Sequence, residues 1–261
     1  MSETIVFKVG TSTLIHETGR LNLQRMEELV EVISDIMNRG NRVALVTSGA
    51  IGVGVGKLGL CERPKDTAAK QAVSTVGQCE LMFMYDKMFA QYSHKVGQLL
   101  ITKKDIADPK RHENLVNAFE KLFYYGAIPI VNENDAVAVE EIVFGDNDSL
   151  SAEVAVVIKA DRLIMMTETD GLYDSNPFKN PEAKRISCVE EIDDKIRACA
   201  GESTSDFGTG GMITKIHAAQ RATEAGIETY VVAGSRPKDI YRLLEGEDIG
   251  THFKAVKKYA D

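Results

Sequence analysis

The sequence predicts an α/β protein in which a mainly parallel sheet is the middle layer of a three-layer αβα sandwich. Short apolar runs alternate with longer stretches of helical periodicity along the whole chain, a pattern typical of a sheet covered by helices on both faces. No internal repeat or break in composition interrupts this alternation. A chain of 261 residues can form one large domain of this class or two small ones. We expect two lobes that divide near residues 160–161, with a sheet that can continue across the division.

Six apolar runs are predicted to be strands because each is short and rich in aliphatic residues. They comprise residues 5–9, 42–46, 96–101, 127–131, 162–167 and 228–232. Helical spacing of apolar residues predicts six helices. They comprise residues 23–37, 67–93, 114–125, 150–160, 213–225 and 239–244. Asn22 and either Asp66 or Thr67 are the expected N-caps of the first two helices, because such side chains accept from free backbone N–H groups.

Two further segments are predicted to be irregular or strand-like. Residues 105–113 are polar and contain Pro109, which indicates a loop. Residues 138–144 alternate enough between apolar and polar side chains to form a hairpin or a flap.

Composition and charge disfavour several classes of function. The formal net charge of -8 argues against a general nucleic-acid or membrane-surface role. No apolar run reaches the roughly 20 residues of a membrane span. The first residues carry no basic segment and lead directly into a strand, so we expect no signal peptide.

The four cysteines do not form a metal-binding pattern. Cys61, Cys79, Cys188 and Cys199 include no C-x-x-C pair, and the five histidines are scattered. A structural zinc site is therefore not expected. We expect reduced thiols and a cytoplasmic location.

Small-residue turns follow the first two strands and precede a late helix. Residues 10–13 follow a strand that contains Lys8, and four closely spaced glycines lie within residues 49–56. A third glycine-rich stretch, residues 207–212, precedes a helix with Lys215 in its first turn. Such turns allow backbone N–H groups to approach an anion closely, and a lysine opposes the helix dipole there unless an anion is present. The spacing is not that of a P-loop.

Two interpretations of Lys8 remain open on this stretch alone. The lysine can reach a phosphate as a point charge. Alternatively, it is the one exposed residue of an alternating edge strand, and the local pattern favours this second interpretation.

Acidic and amide side chains are concentrated after the fourth predicted strand. Asn132-Glu133-Asn134-Asp135 follows it directly, and Gly145-Asp146-Asn147-Asp148 comes soon after. The ends of strands are where ligands bind in open α/β sheets, and these groups can bind an ammonium, a metal or a carboxylate. The alternative is a turn, or a helix N-cap at Asn147-Asp148. A plain turn does not require four carboxylates, so the whole constellation favours a binding site.

Five motifs together resemble the amino acid kinase family, and in particular its members that phosphorylate L-glutamate. They are Lys8-Val9-Gly10-Thr11-Ser12, residues 47–52, residues 132–135, residues 145–148 and residues 208–215. The resemblance extends from about residue 4 to residue 253. It implies a single domain, residues 1–261, with the open αβα fold of that family. The N-terminal lobe, about 1–160, would bind the amino acid, and the C-terminal lobe, about 161–261, would bind the nucleotide.

The resemblance implies phosphorylation of the L-glutamate side-chain carboxylate by ATP and Mg²⁺ to L-glutamate 5-phosphate, the first step of proline biosynthesis. The implied catalytic residues are Lys8, Lys215 and Asp148, with both lysines on the transferred phosphate and the aspartate holding them. The implied glutamate-binding residues are Ser48, Gly49, Asp135 and Asn147. The implied nucleotide-binding residues are Lys8, Thr167, Glu168, Thr209, Gly210, Gly211, Met212, Ile213, Thr214 and Lys215. No protein ligand to a metal is implied.

The chain departs from the family pattern in two respects. Many members have Thr-Asp where this chain has Thr167-Glu168, so that nucleotide contact can differ. Many bacterial members continue into a C-terminal PUA domain, whereas this chain stops at Asp261 and is expected to lack the properties of that domain. Alternative functions are another acyl-phosphate-forming kinase of the family, for aspartate or acetylglutamate, or a catalytically silent ligand sensor.

Two regulatory properties are also expected. The family's role suggests feedback inhibition by proline, which shares an α-carboxylate and an α-amine with glutamate. A broad apolar surface on the second helix suggests a homo-oligomer, although core packing explains the same residues. That surface comprises Leu81, Met82, Met84, Tyr85, Met88 and Phe89.

Overall fold

A computed structural model describes residues 2–16, 18–138, 146–200 and 211–256. The strands in these ranges are β1 (Thr4–Val9), β2 (Arg42–Val46), β3 (Lys95–Ile101), β4 (Ala127–Glu133), β5 (Arg162–Thr167), β6 (Cys188–Val189), β7 (Glu228–Ala233) and β8 (Thr251–Phe253). The helices are α1 (Thr11–Leu14), α2 (Leu23–Asn38), α3 (Ala50–Leu58), α4 (Thr67–Ala90), α5 (Lys103–Ala107), α6 (Pro109–Tyr124), α7 (Asn147–Val157), α8 (Asp194–Cys199), α9 (Met212–Glu224) and α10 (Asp239–Leu244). All six predicted strands and all six predicted helices are confirmed, within a few residues at their ends.

One sheet runs through the described part of the chain in the order β3-β4-β2-β1-β5-β7-β8-β6. β1 lies near its centre and pairs in parallel with β2 and with β5. β7 and β8 form the antiparallel pair. The sheet is continuous across residues 160–161, since β1 and β5 are neighbours. The predicted mainly parallel α/β sandwich is thus confirmed.

Helices cover both faces of this sheet. In β1, Val6 faces a core that contains residues of α6, α7 and α9. Ile5, Phe7 and Val9 face the opposite core, which contains residues of α2, α4 and α10. Because side chains alternate along a strand, Lys8 is on the same side as Val6 and faces the α7–α9 layer.

The segment predicted as a loop at residues 105–113 is helical, so that prediction was wrong. Asp108 accepts a hydrogen bond from the backbone N–H of Arg111 at 3.0 Å, and Pro109 opens α6. Proline is favoured at the first helical position because its missing N–H has no intrahelical partner there. The carboxylate of Asp105 accepts from both the backbone N–H and the hydroxyl of Thr102, which starts α5. The predicted hairpin at residues 138–144 lies, apart from Ala138, outside the described residues.

Helices α3 and α4 cross at very close range. A Cβ added to Gly77 would lie 1.7 Å from the carbonyl oxygen of Ala50, and one added to Gly54 would lie 2.1 Å from that of Val73. Neither distance is possible for a real side chain, so the crossing requires glycine at both positions.

The apolar surface predicted on α4 is largely core. Leu81, Tyr85 and Phe89 are fully buried, whereas Phe83 is 59% exposed. Core packing therefore explains the most apolar part of the surface, and homo-oligomerisation stays a prediction.

Candidate active site

The predicted site residues are brought together at one edge of the sheet. β1, β2, β4 and β5 are parallel neighbours, so their carboxyl ends meet there. Lys8 lies near the end of β1, Thr47 follows β2, Asn132 is near the end of β4 and Thr167 ends β5. The first turns of α7 and α9 add Asn147, Asp148 and Lys215 to the same region, as the contacts below show.

A buried lysine–aspartate cluster, formed by Lys8, Asp148 and Lys215, is the charged centre of this region. Lys8 Nζ lies 2.6 Å from Asp148 Oδ1, and Lys215 Nζ lies 3.1 Å from Asp148 Oδ2. The hydroxyl of Thr214 also donates to Asp148 Oδ2 at 2.7 Å. All three charged residues are at least 94% buried. The interpretation of Lys8 as an exposed residue on an edge strand was therefore wrong, because β1 has a strand on each side.

Opposing charges keep the carboxyl group of Asp148 ionised despite its burial. Burial alone would raise its pKa, but the charges of Lys8 and Lys215 and the hydrogen bonds from Lys8 and Thr214 lower the pKa from 3.8 to about 2. The pKa of Lys215 is lowered, mainly by burial and further by the nearby charge of Lys8, while Asp148 opposes the change. Two cations share one anion, so the cluster carries a net positive charge that suits a phosphate.

Beside this cluster, three side-chain amides form a neutral amide relay of Gln78, Asn132 and Asn147. Asn147 Nδ2 lies 2.8 Å from Asn132 Oδ1, and Asn132 Nδ2 donates to Gln78 Oε1 at 2.8 Å. Asn147 Nδ2 also contacts the backbone oxygen of Thr47 at 2.7 Å and Ser48 Oγ at 3.0 Å. The relay thus connects the ends of β2 and β4 with the start of α7.

The N-cap of α7 is Asp146, not the Asn147-Asp148 pair. Its carboxylate accepts from the backbone N–H of Ser149 at 2.7 Å. Asn147 and Asp148 lie in the first helical turn, where one joins the amide relay and the other the lysine–aspartate cluster. The interpretation of those two residues as N-caps was therefore wrong.

Asp135 lies in the turn after β4 and is partly buried. Burial raises its pKa, and the nearby charge of Arg63 partly opposes this. The turn is joined to α4, because Gln71 Nε2 donates to the backbone oxygen of Ala138 at 3.2 Å. A carboxylate in this position can accept hydrogen bonds from an ammonium group.

The loop after β2 contains Ser48 and Gly49, both partly buried. Gly49 caps α3 with a φ of 97°, in the left-handed region that favours glycine. This conformation starts the helix directly after Ser48, so the glycine-rich stretch predicted as a turn or helix start is a helix start.

The elements described above match the family model described as the amino acid kinase family over residues 3–233. The chain belongs to that family. It is 50% identical over 260 residues to the glutamate 5-kinase of Clostridium perfringens (strain 13 / Type A), with 98% of this chain and 97% of that protein covered. It is 52% identical over 249 residues to the glutamate 5-kinase of Clostridium acetobutylicum, covering 95% and 93% of the two chains.

The fold of the family is also found in distant solved structures. The isopentenyl phosphate kinase of T. acidophilum, solved as a product complex, superposes with a TM-score of 0.68 at 16% identity. The match covers 96% of this chain and all of that one. At this identity the likeness concerns the fold alone.

Apart from Lys8 in β1, the predicted nucleotide-binding residues that the structure describes lie at the carboxyl end of β5 and at the start of α9. Thr167 ends β5, and Glu168, which follows it, is exposed. Gly211 precedes α9, and Met212, Ile213 and Thr214 are partly buried in its first turn. Thr209 and Gly210 lie outside the described residues.

Two features are absent from residues 2–16, 18–138, 146–200 and 211–256. No group of three or more His, Cys, Asp or Glu residues there could hold a metal ion. No described helix is both long and apolar enough to cross a membrane.

Three residues of the site were not among the predicted site residues. Asn132 belonged to the predicted constellation without a role, whereas Thr47 and Gln78 were unassigned. Gln78 could have been noticed as a polar side chain on the buried face of a helix, seven residues before Tyr85. The hydroxyl of Tyr85 lies 2.9 Å from Thr47 Oγ1. Arg63 gave no signal, because its effect on Asp135 depends on the fold.

Proposed function

We propose that this chain transfers the γ-phosphoryl group of ATP to the side-chain carboxylate of L-glutamate. The products are ADP and L-glutamate 5-phosphate, and the reaction is the first step of proline biosynthesis. The observation that carries the proposal is the buried lysine–aspartate cluster at the carboxyl edge of the sheet, in a chain half identical to curated glutamate 5-kinases over nearly its full length.

The chemistry requires positive charge and alignment rather than a general base. A glutamate side-chain carboxylate has a pKa of about 4.3, so it is already a nucleophile at neutral pH. Phosphoryl transfer then depends on positioning and on stabilising the charge on the phosphoryl oxygens. In this proposal Lys8 and Lys215 stabilise that charge, and Asp148 holds both ammonium groups in place. The distances of 2.6 and 3.1 Å and the burial of all three residues support these roles.

The amino-acid substrate is proposed to bind beside the amide relay. Asp135 and Asn147 would accept hydrogen bonds from the α-ammonium group, and Ser48 and the backbone of Gly49 would contact a carboxylate. Asn147 and Asp148 are consecutive, which supports the placement because the carboxylate to be phosphorylated has to lie close to the lysines.

The nucleotide is proposed to bind to the C-terminal lobe. Thr167, Glu168 and residues 209–215 would border it, with Lys8 and Lys215 reaching its phosphates from the lysine–aspartate cluster. Mg²⁺ would enter with ATP, since Mg²⁺ bound to phosphates usually keeps several waters and needs few protein ligands. The positive charge of Lys8 and Lys215 beside Asp148 suits the phosphates that would carry the metal.

A substrate panel tests the proposal. The protein is incubated with MgATP and either glutamate, aspartate, N-acetylglutamate or UMP, and formation of ADP is measured. We expect the highest kcat/KM with glutamate. The highest value with aspartate or N-acetylglutamate would transfer the proposal to another acyl-phosphate-forming kinase, and binding without turnover would indicate a sensor.

Proline inhibition and self-association belong to the same proposal. Proline has the α-carboxylate and α-amine that the Asp135 and Asn147 region would recognise, so competitive inhibition against glutamate is expected in steady-state kinetics. An unchanged rate at millimolar proline would reject this. We expect a homo-oligomer, and light scattering at micromolar concentration measures the molecular mass. The mass of a monomer would contradict this expectation.

A further inference from the structure

Backbone groups identify which atom is nitrogen and which is oxygen in both asparagines of the relay, and Gln78 follows from them. The carbonyl oxygen of Thr47 can only accept, so the atom of Asn147 that lies 2.7 Å from it must be Nδ2. The backbone N–H of Glu133 can only donate, so the atom of Asn132 that lies 2.9 Å from it must be Oδ1. Asn132 therefore directs its Nδ2 at Gln78, which must present its Oε1. Neither asparagine can be flipped without placing two donors or two acceptors against each other.

Gln78 lies on a face of α4 that supports the proposed amino-acid site at three points. Gln71, Gln78 and Tyr85 are spaced by seven residues, or about two helical turns, and so share a face. They contact Ala138, Asn132 and Thr47 respectively. These three partners belong to the turn that contains Asp135, the end of β4 and the loop after β2.

Gln78 uses only one end of its amide. Its Oε1 accepts from Asn132, but its buried Nε2 has no hydrogen-bond partner among the described residues. The side chain as a whole is 93% buried. A buried donor without a partner lowers stability, so packing alone would favour an apolar residue of similar shape, such as methionine. The acceptor at Oε1 is therefore the feature of glutamine that this position needs.

We propose that Gln78 is a positioning residue for the amino-acid substrate, acting through Asn132 on Asn147. By fixing Asn132, it keeps Nδ2 of Asn147 against the Thr47 carbonyl, and this leaves Oδ1 of Asn147 to accept from the α-ammonium group of the substrate. Without the acceptor at residue 78, Asn132 Nδ2 is left unpaired in a buried position, and Asn132 is then held by fewer hydrogen bonds against reorientation. This inference rests on the proposed function.

A double-mutant cycle between residues 78 and 147 tests the proposal. Gln78→Met removes the acceptor and keeps the length of the side chain, and it should raise the KM for glutamate by about 10-fold, as expected for one lost buried hydrogen bond. The kcat and the KM for MgATP should change less than about 2-fold, since Gln78 does not touch the lysine–aspartate cluster. In an Asn147→Ala background, Gln78→Met should add less than about 2-fold, because its target is gone.

Two further variants serve as controls for the cycle. Gln78→Glu keeps an oxygen for Asn132, and burial favours the protonated, uncharged form of the new carboxyl group, so its KM for glutamate should stay within about 3-fold of wild type. Gln98→Met makes the same substitution as the test variant at an exposed position of β3, and it should leave all kinetic constants within about 2-fold. Thermal unfolding of each variant confirms that it is folded.

Each possible result decides the proposal. A cycle in which the effects of Gln78→Met and Asn147→Ala simply multiply would overturn it, as would Gln78→Glu behaving like Gln78→Met. A lower unfolding temperature with unchanged KM would show a purely structural role and would also overturn it. If the wild-type protein does not phosphorylate glutamate, the proposed function fails first. If it does and the cycle is multiplicative, only the positioning role of Gln78 is rejected.

Discussion

Two buried clusters meet at the first turn of α7, and they are held together by different forces. Asp148 forms ion pairs with two lysines, so the lysine–aspartate cluster depends on charge. Asn147, one residue earlier, belongs to the amide relay, in which no member is charged and direction is decisive. Charge is felt over several ångströms, whereas an amide hydrogen bond is lost when one group rotates. The comparison predicts that the charged cluster determines the rate of phosphoryl transfer and the neutral relay determines the recognition of substrate.

Removing either lysine should have the largest effect on catalysis. Lys8→Ala and Lys215→Ala should each lower kcat by roughly 10²- to 10³-fold, because charge that develops on the phosphoryl oxygens loses a stabilising partner. Lys8→Arg should also be slow, since a planar guanidinium does not replace a compact ammonium in a tight site. Steady-state kinetics with glutamate varied at saturating MgATP measures this, with Lys87→Ala on the exposed side of α4 as control. A raised KM for glutamate with unchanged kcat would contradict the assignment.

The stability that Asp148 contributes should depend on pH. Its pKa is lowered from 3.8 to about 2 in the folded protein, which corresponds to roughly 2–3 kcal/mol of the free energy of unfolding. This contribution is fully present above pH 3.8 and is lost as the pH falls through about 2. Denaturant unfolding of wild type and Asp148→Asn between pH 2 and 6 measures it. The difference between the two should shrink as the pH falls, and a constant difference would contradict the prediction.

Asp135→Ala should affect recognition instead of rate. Loss of a charged hydrogen bond to the substrate ammonium should raise the KM for glutamate by roughly 10- to 100-fold, with kcat changed much less. The contact is similar in the ground state and in the transition state, which is why kcat is spared. Steady-state kinetics with glutamate varied measure kcat and KM separately. A fall in kcat alone would indicate that Asp135 acts in phosphoryl transfer, like the lysine–aspartate cluster.

Arg63→Gln should give the smallest effect. Burial raises the pKa of Asp135, and Arg63 counteracts this, so the substitution should raise that pKa further. The carboxylate is protonated below its pKa, and the acid limb of kcat/KM for glutamate should therefore move to higher pH. At pH 7 the KM should change less than about 5-fold, since Arg63 is largely exposed to solvent. An acid limb that stays in place would show that Asp135 does not titrate in the observed range.

The order of elements was accessible from the sequence, whereas the neighbours of each strand were not. The pattern of apolar residues around Lys8 is compatible with an edge strand and with a central strand alike. Only the pairing of β1 with both β2 and β5 buries the lysine. α6 was mistaken in part for a loop because its first turns are polar and only Leu115 and Phe119 are buried in it. The polar composition of these turns reflects their exposure to solvent and does not distinguish a helix from a loop.

The site was predictable to the extent that its motifs resemble a family. Asp148 and Lys215 are 67 residues apart, so no local pattern shows that they form an ion pair. The resemblance implied that they meet, and their contact at 3.1 Å in the structure agrees with it. The amide relay has no such motif, because its three members come from α4, β4 and α7 and their order along the chain has no periodicity.

The crossing of α3 and α4 limits how the proposed amino-acid site can be redesigned. Gly77 is the residue before Gln78, and its Cα lies against the backbone of Ala50 in α3. Backbone atoms set this separation, so rotamer changes cannot widen it. A variant intended for a bulkier amino acid therefore has to keep both Gly54 and Gly77. Its extra volume has to come from truncating side chains of the proposed amino-acid site, because the two helices cannot be moved apart by small adjustments.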